Sequence, residues 1–217
     1  MATTSSHLEQ AYDRLARYCV YEFRQVAQLE VSPIMREVVR RLGKRPELLA
    51  EALQTLSNIR QQSLQTSFIT ALTRGGPGGL PRPIELHAHD PLRYIGDMLA
   101  WVHQAIAAER EFLESLFGLA GDRRMVGSVR KFESSSSEEE AWTRELMDQA
   151  VAKLCVPLRV RVQQTVKSQE SSIMAYKIAN LLQFYTLTMK RTIGNDALLS
   201  KTLDEQVSCF LFASSRF

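Results

Sequence analysis

Residues 46–73 read PELLAEALQTLSNIRQQSLQTSFITALT, and this stretch decides the fold class. Large apolar residues recur in it every three or four positions: Leu49, Leu53, Leu56, Leu64, Phe68 and Leu72. This period places them on one face of an α-helix, and a proline suits the first helical position because its missing N–H is not needed there. The spacing predicts a helix of about 28 residues, roughly 40 Å long. Helices of this length are typical of bundles, rods and solenoids.

Two helices are predicted before this stretch. Ser6 and Glu9 fit a capping box, so a first helix is expected to begin there and to run to about residue 29. Ser32 followed by Pro33 predicts a second helix start, and Gly43 is expected to end that helix. The expected buried stripes are Leu8, Tyr12, Leu15, Cys19, Phe23 and Val26 in the first helix, and Ile34, Val38 and Leu42 in the second.

A loop rich in glycine and proline follows the long helix: residues 75–91 read GGPGGLPRPIELHAHDP. At its end Asp90 can cap a new helix, with Pro91 in the first position. Two adjacent apolar stripes follow, and they predict a helix that reaches Gly118 and packs between neighbours. The stripes are Leu92, Ile95, Leu99, Val102 and Ile106, and beside them Tyr94, Met98, Trp101 and Ala105.

The remaining chain is also predicted to be helical, apart from one insertion. Residues 121–140 contain two glycines, a serine run and many charges without a period, which predicts a mobile loop. Helical spacing resumes at Trp142, with a kink or break expected at Pro157. A further helix is expected over 173–193, and a last one from Leu198.

No segment alternates apolar and polar residues as a strand would, so the predicted fold is all-α, an elongated antiparallel helical bundle or rod. The predicted organisation is an N-terminal helical segment at 1–74, a connector at 75–90, and a second helical segment at 91–217 that carries the mobile loop. Charge adds little, since 27 basic and 24 acidic residues give a net charge of +3, too small to indicate nucleic acid as a partner. The three cysteines form no C-x-x-C pair and lie on apolar stripes, which predicts buried thiols.

The loop contains residue types that can carry chemistry, and two kinds of site are considered for it. A phosphate-binding loop is excluded, because Gly79 is followed by Leu80 and Pro81 instead of lysine and a hydroxyl residue. His87, His89 and Asp90 could form part of the site of a metal-dependent hydrolase, and this stays as the alternative function. The metal ligands of such hydrolases come from several β-strands, and the sequence predicts no β-strand.

The favoured reading of the loop is a structural corner between two long helices. Its residues are Pro81, Pro83, Asp90 and Pro91: the prolines stiffen the turn and Asp90 caps the next helix. No catalytic, cofactor-binding or metal-binding residue is predicted, and the chain is not expected to be an enzyme. No cofactor is expected either.

One long segment resembles a known family. FITALTRGGPGGLPRPIELHAHDPLRYIGDMLAWVHQA, residues 68–105, is similar to the sixth subunits of the conserved oligomeric Golgi complex. The resemblance extends to LEQAYDRLARYCVYEFR, to PLRVRVQQ and to YKIANLLQFY, in the same order and spacing, from about Leu8 to about Leu203. The family's subunits are much longer, so the chain is expected to be a middle fragment.

The resemblance implies a helical rod of the tethering-complex type, acting as a scaffold in the capture of vesicles in retrograde intra-Golgi transport. It implies other subunits of the same complex as partners, SNARE proteins as further partners, and no nucleic acid. It also implies a peripheral protein on the cytosolic face of the Golgi membrane.

Overall fold

The computed structural model describes residues 2–25, 30–119, 138–168 and 171–214, with side chains described for 6–25, 30–119, 138–168 and 171–208. The all-α prediction is confirmed: every regular element in these ranges is helical and none is a strand. The α-helices are α1 (Ala2–Gln25), α2 (Pro33–Leu42), α3 (Pro46–Thr73), α4 (Pro91–Leu116), α5 (Glu138–Val151), α6 (Cys155–Lys167), α7 (Ser172–Ile193) and α8 (Leu198–Ser214). Short 3-10 turns lie at Pro77–Gly79, Ile84–His87 and Ala152–Leu154.

The helix starts agree with the capping signals of the sequence. Ser32 has extended backbone angles, and its Oγ accepts a hydrogen bond from the Met35 N–H at 3.1 Å, so α2 begins where predicted. Gly118 and Gly194 follow α4 and α7 with φ of 72° and 91°, angles at which a side chain would be strained. The prediction that α4 has two adjacent apolar stripes is also confirmed. Ile95 and Leu99 of one stripe are buried, and so are Tyr94 and Met98 of the other.

Three local predictions at the N-terminal end are wrong. Ser6 and Glu9 do not begin a helix, because α1 already starts at Ala2 and a capping serine needs non-helical backbone angles. Leu8 is exposed, so the buried stripe of α1 starts further along the helix. Ile34 is also exposed, since α2 buries Met35 and Val39 beside Val38 and Leu42, which are buried as predicted.

The mobile loop predicted at 121–140 lies mostly outside the described residues. The prediction is wrong for its last three residues, which are helical. Glu138, Glu139 and Glu140 form the first turn of α5. Carboxylates there interact favourably with the positive end of the helix dipole, a signal that a search for apolar period does not detect. The break expected at Pro157 is confirmed: a 3-10 turn separates α5 from α6, and Pro157 stands in the first turn of α6.

The chain divides into two compact units, and each has its own core. The first unit comprises α1, α2, α3 up to Arg60, α4 from Ala108, and α5 up to Leu146. Its core contains Cys19, whose Sγ lies 3.8 Å from the Met35 Sδ, and burial raises the pKa of this thiol to about 12. Among the described residues, other fully buried large side chains of this unit are Phe23, Leu42, Leu49, Leu56, Leu113 and Leu116.

The second unit comprises α3 from Gln61, the 75–90 loop, α4 up to Ala107, α5 from Met147, and α6 to α8. In it α7 packs along α8, and Phe68 meets Trp101 with ring centroids 5.1 Å apart. Cys155 is buried here as predicted, whereas the side chain of Cys209 lies outside the described residues. No helix in the described ranges is both long enough and apolar enough to cross a membrane. The division at 75–90 into two helical segments stays a prediction.

Candidate functional site

The loop at 75–90 closes on itself through its glycines. The Gly76 N–H donates a hydrogen bond to the Pro81 carbonyl oxygen at 2.8 Å. A Cβ on Gly76 would collide with the Leu80 carbonyl oxygen, and one on Gly75 would collide with that of Pro81. Gly75 also has φ of 78°, which other residues resist. The double glycine is therefore required for the first part of the loop to fold back against the second.

Pro81 and Pro83 pack against the double glycine of this loop. Pro81 is exposed and Pro83 is half-buried. Directly after them the side chain of Ile84 enters the core of the second unit, where it is 8% exposed. Glu85 then accepts hydrogen bonds from Arg161 of α6 at 3.1 and 3.2 Å. The burial of Ile84 and the ion pair between Glu85 and Arg161 thus hold the loop in place.

The two histidines are engaged in separate local contacts. His87 Nδ1 lies 3.1 Å from the Asp97 Oδ2 on the first turns of α4, and Asp97 also lies 3.8 Å from the Arg93 Nε. His89 Nδ1 lies 3.1 Å from the Leu86 carbonyl oxygen. The two imidazole rings therefore contact different partners, and these contacts do not direct both rings at a common metal ion.

Asp90 and Pro91 form the start of α4. The Asp90 Oδ1 accepts a hydrogen bond from the Arg93 N–H at 3.3 Å, and the Asp90 carbonyl accepts from the Tyr94 N–H at 2.9 Å. This is the arrangement of a helix N-cap. Burial raises the pKa of the Tyr94 phenol, and the neighbouring Glu85 carboxylate raises it further. The carboxylate of Asp90 is consequently occupied in capping.

These contacts give no support to the hydrolase alternative. His87 is paired with Asp97, His89 faces a backbone carbonyl, and Asp90 caps a helix. Across the described residues no three His, Cys, Asp or Glu side chains are grouped so that they could share a metal ion. A metal-dependent hydrolase would need several ligands directed at one ion and a free coordination position.

An open cleft of about 890 Å³ lies beside the loop, between the last turns of α3 and the first half of α4. The residues that line it include Trp101, Ile84 and Arg82. His87 and Asp97, whose side chains lie 3.1 Å apart, also line it. The cleft is large enough for a small ligand, and its lining is mixed.

Sequence reasoning missed a buried ion pair in the first unit. Arg60 of α3 and Glu109 of α4 are 6% and 1% exposed, and the guanidinium contacts the carboxylate through three distances of 2.7 to 3.1 Å. The Arg60 guanidinium also lies over the Phe112 ring, 5.5 Å from its centroid. A signal was present, since each residue occupies a position of an apolar stripe where a hydrophobic residue is expected.

The fold and the loop together define an all-α chain whose ionisable loop residues cap and brace helices. Residues 1–210 match the family model described as conserved oligomeric Golgi complex subunit 6, C-terminal, and the chain belongs to this family. Several similar curated proteins are conserved oligomeric Golgi complex subunit 6, and the one from Cryptococcus neoformans is 55% identical over 94% of this chain. Those from Arabidopsis thaliana and Homo sapiens are 42% and 40% identical over 90% and 92% of it.

The chain spans less than a third of the length of these relatives, since it covers 28%, 29% and 28% of them. No solved structure is significantly similar to it.

Proposed function

We propose that this chain is a scaffold segment of a Golgi vesicle-tethering complex subunit and acts in retrograde intra-Golgi transport through protein–protein contacts. The observation that carries the proposal is the match of residues 1–210 to the C-terminal family model of the sixth subunit. Identity of 55% with the fungal relative over 94% of the chain supports a common role. Other subunits of the same complex are the proposed partners, and SNARE proteins are proposed as further ones.

The proposed place of action is the cytosolic face of the Golgi membrane, where the subunit is a peripheral protein. The arrangement of the loop agrees with a scaffold role, because the groups that could react are used to hold helices. His87 and Asp90 both contact the first turns of α4, and Glu85 contacts α6. A scaffold needs fixed helix geometry, and these contacts provide it.

Within this scaffold we assign the 75–90 loop the role of a corner that fixes the angle between the end of α3 and the start of α4. The closed glycine turn and the cap at Asp90 limit the conformations of the loop at its two ends. Pro81 and Pro83 restrict the unfolded loop between them. Partner contacts would then depend on this angle more than folding does.

Transport in living cells tests the proposal. Cells that lack the sixth subunit receive the full-length Cryptococcus neoformans subunit in which this chain replaces the matching region. The expected result is recovery of the Golgi residence of a recycling glycosyltransferase, together with Golgi localisation of the chimera. A chimera that is stable and abundant but leaves the glycosyltransferase mislocalised contradicts the proposed function. The unmodified fungal subunit is the positive control.

A further inference from the structure

One face of α7 exposes large apolar side chains to solvent. Ile173, Tyr176, Phe184 and Leu187 are 68%, 58%, 62% and 54% exposed. Isolated exposed apolar residues are ordinary on a protein surface, whereas a contiguous set on one element marks an interaction surface. These four residues are called the α7 stripe below.

The α7 stripe follows the helical repeat. At 100° per residue the four side chains fall within about 80° of one another around the helix axis, with Asn180 among them. At 1.5 Å per residue they extend over roughly 21 Å. A stripe of this width and length matches the apolar face of one further helix of about four turns, in the helix-in-groove manner of recognition.

The rest of α7 is already packed, so the stripe cannot turn inward. Ile178, Leu182 and Met189 are fully or almost fully buried, and α7 packs along α8. On another side Leu181 approaches Gly96 of α4, and Tyr185 meets the His103 ring edge-on with centroids 6.4 Å apart. The helix is therefore held with the α7 stripe outward.

The charges of α7 are all positive. The helix contains Lys177, Lys190 and Arg191 and no aspartate or glutamate. Lys190 pairs with Asp204 of α8 at 2.6 Å. Lys177 is exposed and borders the stripe, whereas the exposed Arg191 is in line with the stripe, one turn beyond Leu187. Among the described residues no ion pair is found for either. A complementary helix therefore carries carboxylates beside its apolar stripe and at one end of it.

The apolar area of the α7 stripe indicates whether the covering helix belongs to a separate molecule or to the same polypeptide. Four partly exposed large side chains offer on the order of 500 Å² of apolar surface, whereas a stable interface between separate molecules buries about 800 Å² on each partner. A covalently connected helix needs less surface, because connection raises its effective concentration to about the millimolar range. A second copy that presented its own α7 would also bring only positive charges to the stripe.

We propose that in a full-length subunit of this family the α7 stripe is covered by an amphipathic helix of the same polypeptide, from outside these 217 residues, with carboxylates bordering its apolar face. The proposal rests on the proposed function only through the length of the family's subunits: the relatives are more than three times as long as the part that this chain covers. Asn180 in the middle of the stripe gives the partner helix a polar contact that can fix its register.

Site-specific crosslinking tests the proposal in the full-length chimeric subunit. A photoreactive phenylalanine replaces Phe184, and in a matched control it replaces Leu86, an exposed residue of the same unit. The expected product is an internal crosslink from position 184 to a helix with acidic borders, formed in the isolated subunit at the same yield as in the assembled complex. Lys177→Glu with Arg191→Glu should lower its yield about tenfold, and Lys177→Arg with Arg191→Lys should retain it.

Any other product overturns the proposal. Crosslinks from position 184 to a second copy, to another subunit, or to vesicles containing phosphatidylserine assign the stripe to those partners, and no crosslink leaves it uncovered. Co-purification of the other subunits is measured in the same samples. If they are present and the crosslink lies elsewhere, the α7 proposal alone fails. If they are absent while the internal crosslink forms, the proposed function fails and the α7 proposal stands.

Discussion

Arg60 and Glu109 form a bidentate ion pair that is almost wholly removed from solvent, with the closest contact at 2.7 Å between Nη2 and Oε2. The two residues are 49 positions apart and join α3 to α4 within the first unit. Removing two charges from water costs several kcal/mol for each ion, and their mutual contact offsets most of this cost. The pair therefore fixes which parts of the two helices face each other more than it adds to stability.

Glu109→Ala is expected to destabilise the chain by about 3–5 kcal/mol, because it leaves the Arg60 guanidinium buried without its partner. The double change Arg60→Met with Glu109→Leu should be close to neutral, since both desolvation costs disappear together. Denaturant unfolding monitored by circular dichroism measures both. Glu111→Ala, an exposed position on the same helix, is the matched control and should change little. A double variant as unstable as the single one would show that the charges themselves are required.

The glycine turn of the loop predicts different costs at neighbouring glycines. Gly76→Ala should destabilise the chain by at least about 2 kcal/mol, because its Cβ would meet the Leu80 carbonyl oxygen and open the loop. Gly79→Ala should cost about 1 kcal/mol, since its Cβ enters open space and only its positive φ is strained. Thermal unfolding of the two variants measures the difference. Equal losses would mean that the closed turn does not require Gly76.

The corner proposal predicts that assembly and folding respond separately. Asp90→Ala removes one capping hydrogen bond, so it should lower stability by about 1 kcal/mol and Tm by a few degrees. Pro81→Gly with Pro83→Gly should weaken recovery of partner subunits in affinity purification more than it lowers Tm, because the loop becomes less restricted. Unchanged recovery in the double variant, with its Tm lowered, would contradict the role of the loop as a corner.

Glu37 on α2 provides a prediction about pH. Its carboxylate accepts hydrogen bonds from Arg40 and Arg41, which lower its pKa from an ordinary 4.5 to about 2. A lowered pKa stabilises the folded state above pH 4.5, and this contribution is lost as the pH falls from 4.5 to 2. NMR titration should place the Glu37 pKa near 2 in dilute buffer and closer to 4.5 in 1 M salt, because exposed charges are screened. The variant Arg40→Gln with Arg41→Gln should also move it upward. A wild-type pKa near 4.5 in dilute buffer would show that the hydrogen bonds do not persist in solution.

Helix identity and most boundaries followed from the sequence because apolar period and capping residues act locally. The bounds of α3 and the start of α4 depend on Pro46, Asp90 and Pro91, whose effects need no tertiary context. The facing of α2 could not be predicted from period alone, since Ile34 and Met35 are both apolar and only packing decides which is buried. The exposure of Phe184 could not be predicted either, because only packing decides which apolar residues of α7 are buried.

The candidate site was predictable in part. The cap at Asp90 could be predicted from the residue types, because an aspartate before a proline is typical of a helix start. The contact between His87 and Asp97 depends on how the loop returns to α4. The turn between Gly76 and Pro81 likewise forms through space, and the spacing of glycines does not determine it. The pair of Arg60 and Glu109 could have been suspected, because two opposite charges interrupt two apolar stripes. Which charge meets which needs the fold.

The central claim is that this chain serves as a scaffold segment of the Golgi tethering complex, and the composition of the purified complex tests it most directly. The full-length Cryptococcus neoformans subunit carrying this chain in place of its matching region is affinity-purified from cells that lack the endogenous subunit, and the recovered subunits are quantified by mass spectrometry. The scaffold role predicts the complete complex at the stoichiometry obtained with the unmodified fungal subunit. A stable, folded chimera that recovers no other subunits would contradict it.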